Sequence, residues 1–123
     1  MKKYNKQKGD HGEDMAARYL QAKGHVILTR NYRKKTGEID LISQIGETVV
    51  FTEVKLRTTE AYGTPAQAVD YRRQQRLAKT ALWYLQENDL FNWNARFDVV
   101  EILGSLERGY TVNHIENAFL ITA

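Results

Sequence analysis

Gly37-Glu38-Ile39-Asp40-Leu41-Ile42, followed after a short turn by Val49-Val50-Phe51-Thr52-Glu53-Val54-Lys55, decides how this chain is read. The stretch has the apolar alternation of a β-hairpin, interrupted by charges where a hairpin should be apolar. Gly46-Glu47 makes a two-residue turn, with Gly at the first central position as a type II′ turn requires. That turn sets Ile45 opposite Thr48, and counting outward Ile42 meets Phe51, Asp40 meets Glu53 and Glu38 meets Lys55. Strand side chains alternate faces. One face is then Ile39, Leu41, Val50, Val54 and Leu56, a core face. The other starts apolar at Ile42, Val49 and Phe51 and ends in Asp40, Glu53 and Lys55.

Cross-strand Cβ atoms lie roughly 5 Å apart. Two carboxylates at that distance repel by about 3 kcal/mol at an effective dielectric near 20. A divalent cation between Asp40 and Glu53 removes this cost and makes the pair a site. Mg²⁺ takes one or two carboxylates together with water and phosphate oxygens, and Mn²⁺ is the natural substitute. The bland alternative is a solvated hairpin end with Lys55 paired to Glu38. Lys55, two residues from Glu53 on the same face, favours the site.

Asp40 followed by Glu53-Val54-Lys55 resembles the D…(E/D)-x-K signature of the restriction-endonuclease-like nucleases. The wider set is Gly12-Glu13, Gly37 to Leu41, Phe51 to Lys55, Ala68-Val69 and Arg96 to Val100. In this order it resembles the bacterial YraN family, which is similar to archaeal Holliday-junction resolvases. Ile39 stands where the superfamily pattern has Pro, as is common in the resolvase-like branch. The resemblance covers almost the whole chain. It implies an α/β fold with a restriction-endonuclease-like core. It also implies a metal-dependent endonuclease for branched or structured DNA, and a homodimer, since a four-way junction needs two cuts.

Composition agrees with an intracellular domain that meets an anion. The 123 residues fit one domain, and the lack of cysteine excludes disulfides and thiolate metal sites and is compatible with a reducing cytoplasm. No apolar run approaches the roughly 20 residues of a membrane span, and no apolar stretch follows the basic start as in a signal peptide. Net charge is only +3, but residues 1–79 hold 16 Lys and Arg against 9 Asp and Glu, while residues 80–123 hold 2 against 6. An anionic partner fits that imbalance, with nucleic acid the leading candidate and DNA preferred to RNA.

The expected organisation is a basic flexible arm over 1–9 and a single nuclease-like domain over 10–123. Asp10-His11-Gly12-Glu13 reads as a capping box opening a helix, which Gly24 ends. A strand starts at His25, and 31–36 is a basic connection to the hairpin. Thr64-Pro65-Ala66-Gln67 reads as a second helix start, with Thr as N-cap, and that helix runs to about Asn88. Leu90, Phe91 and Trp93 anchor a connection to two further strands, 96–103 and 110–116. The order α-β-β-β-α-β-β gives a mixed sheet flanked by helices.

Other residues complete the candidate site. Glu13 shares a helix face with Ala16, Ala17 and Leu20 and should point at the sheet. It is either the capping partner of Asp10 or, as the resolvase resemblance implies, a third metal ligand. Gln67 and Tyr71 resemble the Q-x-x-x-Y pair of RecB-type nucleases, although Gln67 is also N3 of the Thr64 cap. Catalytic candidates are therefore Asp40, Glu53, Lys55, Glu13 and Gln67. Arg72, Arg76 and Lys79 form a helical stripe beside Arg73. With Arg33, Lys34, Lys35 and Arg57 they make a phosphate-contacting track, or else a solvated basic face. His11, His25 and His114 have no metal spacing, and Asp98 either joins the site or pairs with a neighbouring Arg. Leu90, Phe91 and Trp93 either plug the end of the core or meet a second copy of the chain. The rival to an endonuclease is a non-catalytic module that keeps the nuclease scaffold and docks on nucleic acid or protein.

Overall fold

The computed structural model describes residues 2–57 and 70–119, with side chains from His11 onward. Among the described residues, two helices flank one five-stranded sheet: α1 (Lys2–Ala22), β1 (Val26–Lys34), β2 (Gly37–Ile45), β3 (Thr48–Arg57), α2 (Tyr71–Glu87), β4 (Asn94–Ser105) and β5 (Gly109–Ile115). This is the expected α/β order. The strands lie in sequence order across the sheet; β3 and β4 run parallel and the other neighbours antiparallel. α2 supplies the long crossover that a parallel pair needs.

The hairpin register is the one the turn dictates. Ile45 pairs with Thr48 and Ile42 with Phe51, and Gly46 has φ +58° while Glu47 keeps a negative φ, as type II′ requires. The ladder stops, however, at Leu41 and Thr52. Beyond it β2 stays with β1 through Ile39 and Glu38, while β3 stays with β4 through Glu53 and Lys55. The expected Asp40–Glu53 and Glu38–Lys55 backbone pairs are thus absent. Asp40 replaces the missing rung: its Oδ2 accepts the Val54 N–H at 2.8 Å.

Both faces of the sheet are core. Ala16, Leu20, Leu41, Val100 and Ile102 pack under α1, whereas Ile39, Ile42, Phe51, Val99, Leu77 and Tyr84 pack under α2. Ile39, expected beside Leu41, lies on the other face. Simple alternation breaks at Asn31, which stands opposite Asp40 between the pairs Arg30–Leu41 and Tyr32–Ile39 and has φ +53°.

Three expected boundaries move. α1 begins at Lys2, so the segment read as an arm is helical backbone and Asp10 lies inside the helix, not at its cap. Gly12 lies against the Leu56 side chain, which a Cβ there would meet in ordinary van der Waals contact at 3.4 Å. β1 continues to Lys34, so the basic connection is strand. α2 is capped by Asp70, whose carboxylate accepts the Arg73 N–H at 2.9 Å; Thr64, Pro65 and Gln67 lie outside the described residues. The end of α1 is as expected. His25 N–H donates to the Leu20 carbonyl and Gly24 N–H to that of Gln21, the bond pair of a Schellman motif.

Leu90 and Trp93 fold back onto the α2-side core, and Phe91 stays 57% exposed. No helix among the described residues is long and apolar enough to cross a membrane.

Candidate active site

The parting of β2 from β3 opens a notch in the sheet, and the acidic residues gather around it. Asp40 comes from β2, Glu53 and Lys55 from β3, and Glu13 from α1. Burial, and after it the neighbouring charge of Glu53, pushes the Asp40 carboxyl up to about 7, against the pull of the Val54 N–H. Glu13 and Glu38 add smaller repulsions. The structure therefore brings Asp40 and Glu53 into electrostatic contact, and Glu13 into their field.

Each acid is balanced differently. Glu53 is buried, and the guanidinium of Arg73 grips it from the first turn of α2: Nε meets Oε2 at 3.1 Å and Nη2 meets Oε1 at 2.6 Å. Such a two-pronged pair is the strong form of a charge-assisted hydrogen bond. Glu13 is also buried; it accepts from Asn31 Nδ2 at 3.0 Å and lies 3.6 Å from Arg30 Nη2. Asp40 has the Val54 N–H and no cation bonded to it among the described residues. Lys55 is half-buried on β3, two residues beyond Glu53, and makes no ion pair among the described residues. Because Glu13 turns to Asn31 and Glu53 to Arg73, no three acids or histidines among the described residues converge closely enough to hold a metal ion as they stand. Asp40 and Glu53 are the two acids whose charges oppose each other most. Glu53 is matched by the Arg73 fork, whereas half-buried Asp40 has no cation bonded to it among the described residues.

The basic candidates divide in two. Arg57 is tied to buried Glu101 at 3.2 Å, Arg33 lies 3.4 Å from Glu38, and Lys34 pairs with Glu87. Arg73 belongs to Glu53. Lys35, Arg72, Arg76 and Lys79 are exposed and have no acid partner among the described residues. Arg72, Arg73 and Arg76 line a cavity of about 430 Å³ together with Gly37, Glu38, Asp70 and Leu77. Tyr71 is exposed, and Gln67 lies outside the described residues.

Asp98 takes the ion-pair role. Arg96 holds both its oxygens at 2.9 Å, His114 Nε2 lies 2.7 Å from Oδ2, and Asn117 N–H donates to Oδ1 at 3.0 Å. Burial alone would push this carboxyl up; the bonds from His114, Arg96 and Asn117 hold it below its ordinary value. His25 is buried beside Ser43 at 2.9 Å, and His11 stands edge-on to Tyr110.

Arg73, Asn31 and Arg30 act at the site in ways the sequence did not show. Arg73 was visible only as part of a basic stripe, because its partner lies 20 residues away on another element. Asn31 carried one usable signal, an Asn inside a strand of basic and β-branched residues.

The chain matches known sequences along nearly its whole length. It is 45% identical over 117 residues to a UPF0102 protein of Alkaliphilus oremlandii, covering 94% of this chain and 99% of the relative. It is 43% identical over 122 residues to a UPF0102 protein of Clostridium acetobutylicum, covering 98% and 100%. A UPF0102 protein of Clostridioides difficile is 42% identical over 115 residues, covering 94% and 98%. The family described as "Uncharacterised protein family UPF0102" matches residues 12–102, a span that holds Glu13, Asp40, Glu53, Lys55 and Arg73. The chain belongs to the UPF0102 (YraN) family.

Proposed function

We propose that this protein is a metal-dependent endonuclease that hydrolyses DNA phosphodiester bonds, with branched or structured DNA as substrate. One observation carries the reading: Asp40 is a half-buried carboxyl next to buried Glu53, with too little positive charge around it to stabilise its anion. The Val54 N–H accounts for one lone pair of Asp40, and a cation shared with Glu53 would account for its charge. The donor set fits Mg²⁺, or Mn²⁺ in its place, because all of it is carboxylate oxygen and two carboxylates suffice. Asp40 and Glu53 would hold the ion, and Glu13 would join once it leaves Asn31. The cation supplies Lewis-acid polarisation of the phosphoryl group and lowers the pKa of the attacking water.

The chain's own residues do the rest. The Lys55 ammonium, two residues beyond Glu53, orients the water or stabilises the negative charge that develops on the phosphate. Arg73 keeps Glu53 neutralised until a cation takes over. Arg72, Arg76, Lys79 and Lys35 position phosphates without reading sequence.

The Arg73 fork favours a second reading, a nucleic-acid-binding module that does not cut, since Glu53 already has its cation. Cleavage assays over branched and linear DNA with Mg²⁺ or Mn²⁺, on the wild type and Lys55→Ala, separate the two. Metal-dependent cleavage that Lys55→Ala loses supports the enzyme. DNA binding with no cleavage, and no Mn²⁺ affinity sensitive to Asp40→Asn, supports the binding module.

A further inference from the structure

Trp83 has no role in the core or in the acidic notch. It is 47% exposed on the outer face of α2, beside Leu82 at 54%. Arg72, Arg76, Lys79, Trp83 and Gln86 fall at helical steps of four, three, four and three. They share a face about 80° wide, so a basic stripe leads straight to an exposed indole.

The face carries two neighbouring hollows. The first is the arginine-lined cavity, walled by Gly37 and Glu38. The second is a cleft of about 250 Å³ lined by Thr36, Lys79, Leu82, Trp83 and Gln86. The turn between β1 and β2 walls both, and it is pinned to α2. Thr36 Oγ1 lies 2.8 Å from Thr80 Oγ1, which bonds the Arg76 carbonyl at 2.9 Å. Lys34 Nζ sits 5.8 Å from the Trp83 ring centroid.

We infer that the Trp83 cleft holds an unpaired nucleobase stacked on the indole, with the attached backbone running along Lys79, Arg76 and Arg72 toward the acidic notch. The inference rests on the nucleic-acid reading above and names the feature of the substrate that it selects. Aromatic side chains stack on any base, and basic grooves track the backbone of single strands. Thr36 and Gln86 offer hydrogen-bonding groups at the rim for a base edge. Arg76 and Trp83 are seven residues apart, about 10 Å along the helix, which matches roughly three stacked nucleotides at 3.4 Å each. Charge argues against a second copy here. A two-fold interface on this face would set the basic stripe against itself.

The test uses Trp93→Phe protein, in which Trp83 is the remaining one of two tryptophans. Its fluorescence is followed on titration, at low salt and without metal, with a single strand of about twelve nucleotides, within the usual site size. A blunt duplex and the same duplex with an unpaired bulge are compared. The single strand and the bulge should quench Trp83, and the blunt duplex should not. Trp83→Ala should weaken single-strand binding about 5- to 150-fold and leave blunt-duplex affinity within about twofold, with Trp83→Phe recovering most of the loss. Arg76→Ala should weaken every substrate. Equal binding of all substrates by Trp83→Ala and wild type, alongside a weakened Arg76→Ala, overturns this inference and leaves the nucleic-acid reading standing. Failure of every substrate to bind any of the proteins overturns both. A Trp83→Ala change that converts a dimer to a monomer without altering single-strand affinity assigns the face to a second copy and also overturns it.

Discussion

Replacing Asp40 by Asn should stabilise the metal-free protein at neutral pH, although it removes a central residue of the site. The Asp40 carboxyl moves from 3.8 to about 7 on folding, because burial and the Glu53 charge oppose its ionisation. A group whose folded pKa is raised holds its proton in the native state after the unfolded chain has released it. Stability therefore falls as pH rises from about 4 to about 7, and above that window the full cost is present. A rise of that size corresponds to about 4 kcal/mol. Coupling to Glu53 and to Arg73 shares this out, so the gain for Asp40→Asn at pH 8 is on the order of 2–4 kcal/mol. The amide oxygen of Asn can still accept the Val54 N–H. Urea unfolding of both proteins in EDTA, at intervals from pH 4 to pH 8, measures the difference. His25, whose burial lowers its pKa, adds its own pH dependence to both proteins and cancels in the comparison. The reasoning is refuted if the two unfolding free energies differ by a constant across this range, or if Asp40→Asn is the less stable at pH 8. With Mg²⁺ present the sign should reverse, because the ion rewards the carboxylate and not the amide.

Arg73→Ala should cost on the order of 1–3 kcal/mol of stability without metal, since it strands a buried carboxylate, and should tighten Mn²⁺ binding as read by calorimetry. Arg72→Ala should weaken DNA binding about equally for all sequences and flatten its salt dependence by roughly one unit of slope, measured by titration over a salt series. Asp98→Asn should lower the unfolding free energy by about 3–5 kcal/mol, because Arg96 loses its buried partner, while Mn²⁺ affinity stays unchanged. If the chain dimerises through its exposed Phe91, sedimentation of Phe91→Ser should show a monomer where the wild type is a dimer; Leu90 and Trp93, already packed on the core, are not free to serve.

The hairpin from Ile45–Thr48 to Leu41–Thr52 was legible because a two-residue turn fixes register. The same logic failed at the next pair, Asp40–Glu53. A ladder can end, and whether it does depends on what each strand pairs with on its other side. β2 follows β1 and β3 follows β4, which no local pattern reveals. The Asp10 capping box failed for another reason. The preceding Lys, Asn and Gln residues are compatible with helix, so the cap pattern lay inside a longer helix. At α2 the Thr64 cap pattern drew the reading, and the described helix is capped by Asp70, whose side chain accepts from Arg73. The basic stripe was read correctly as a row but not as a division of labour. That Arg73 serves Glu53, and Arg57 serves Glu101, follows from tertiary neighbours alone.

Arg73 has one charge and two claims on it. It grips Glu53, and it lines the cavity with Arg72 and Arg76. On the proposed reading, a phosphate entering that cavity draws Arg73 away from Glu53, and the bared carboxylate then attracts a cation more strongly. A cation bound at Asp40 and Glu53 in turn frees Arg73 for the phosphate. Linkage makes the two effects equal: whatever factor the phosphate adds to cation affinity, the cation adds to phosphate affinity. Without either ligand the fork holds Glu53 neutral and leaves Asp40 to keep its proton near neutrality. A site arranged in this way is poor at collecting metal alone and better when nucleic acid is present, which confines hydrolytic competence to the bound complex.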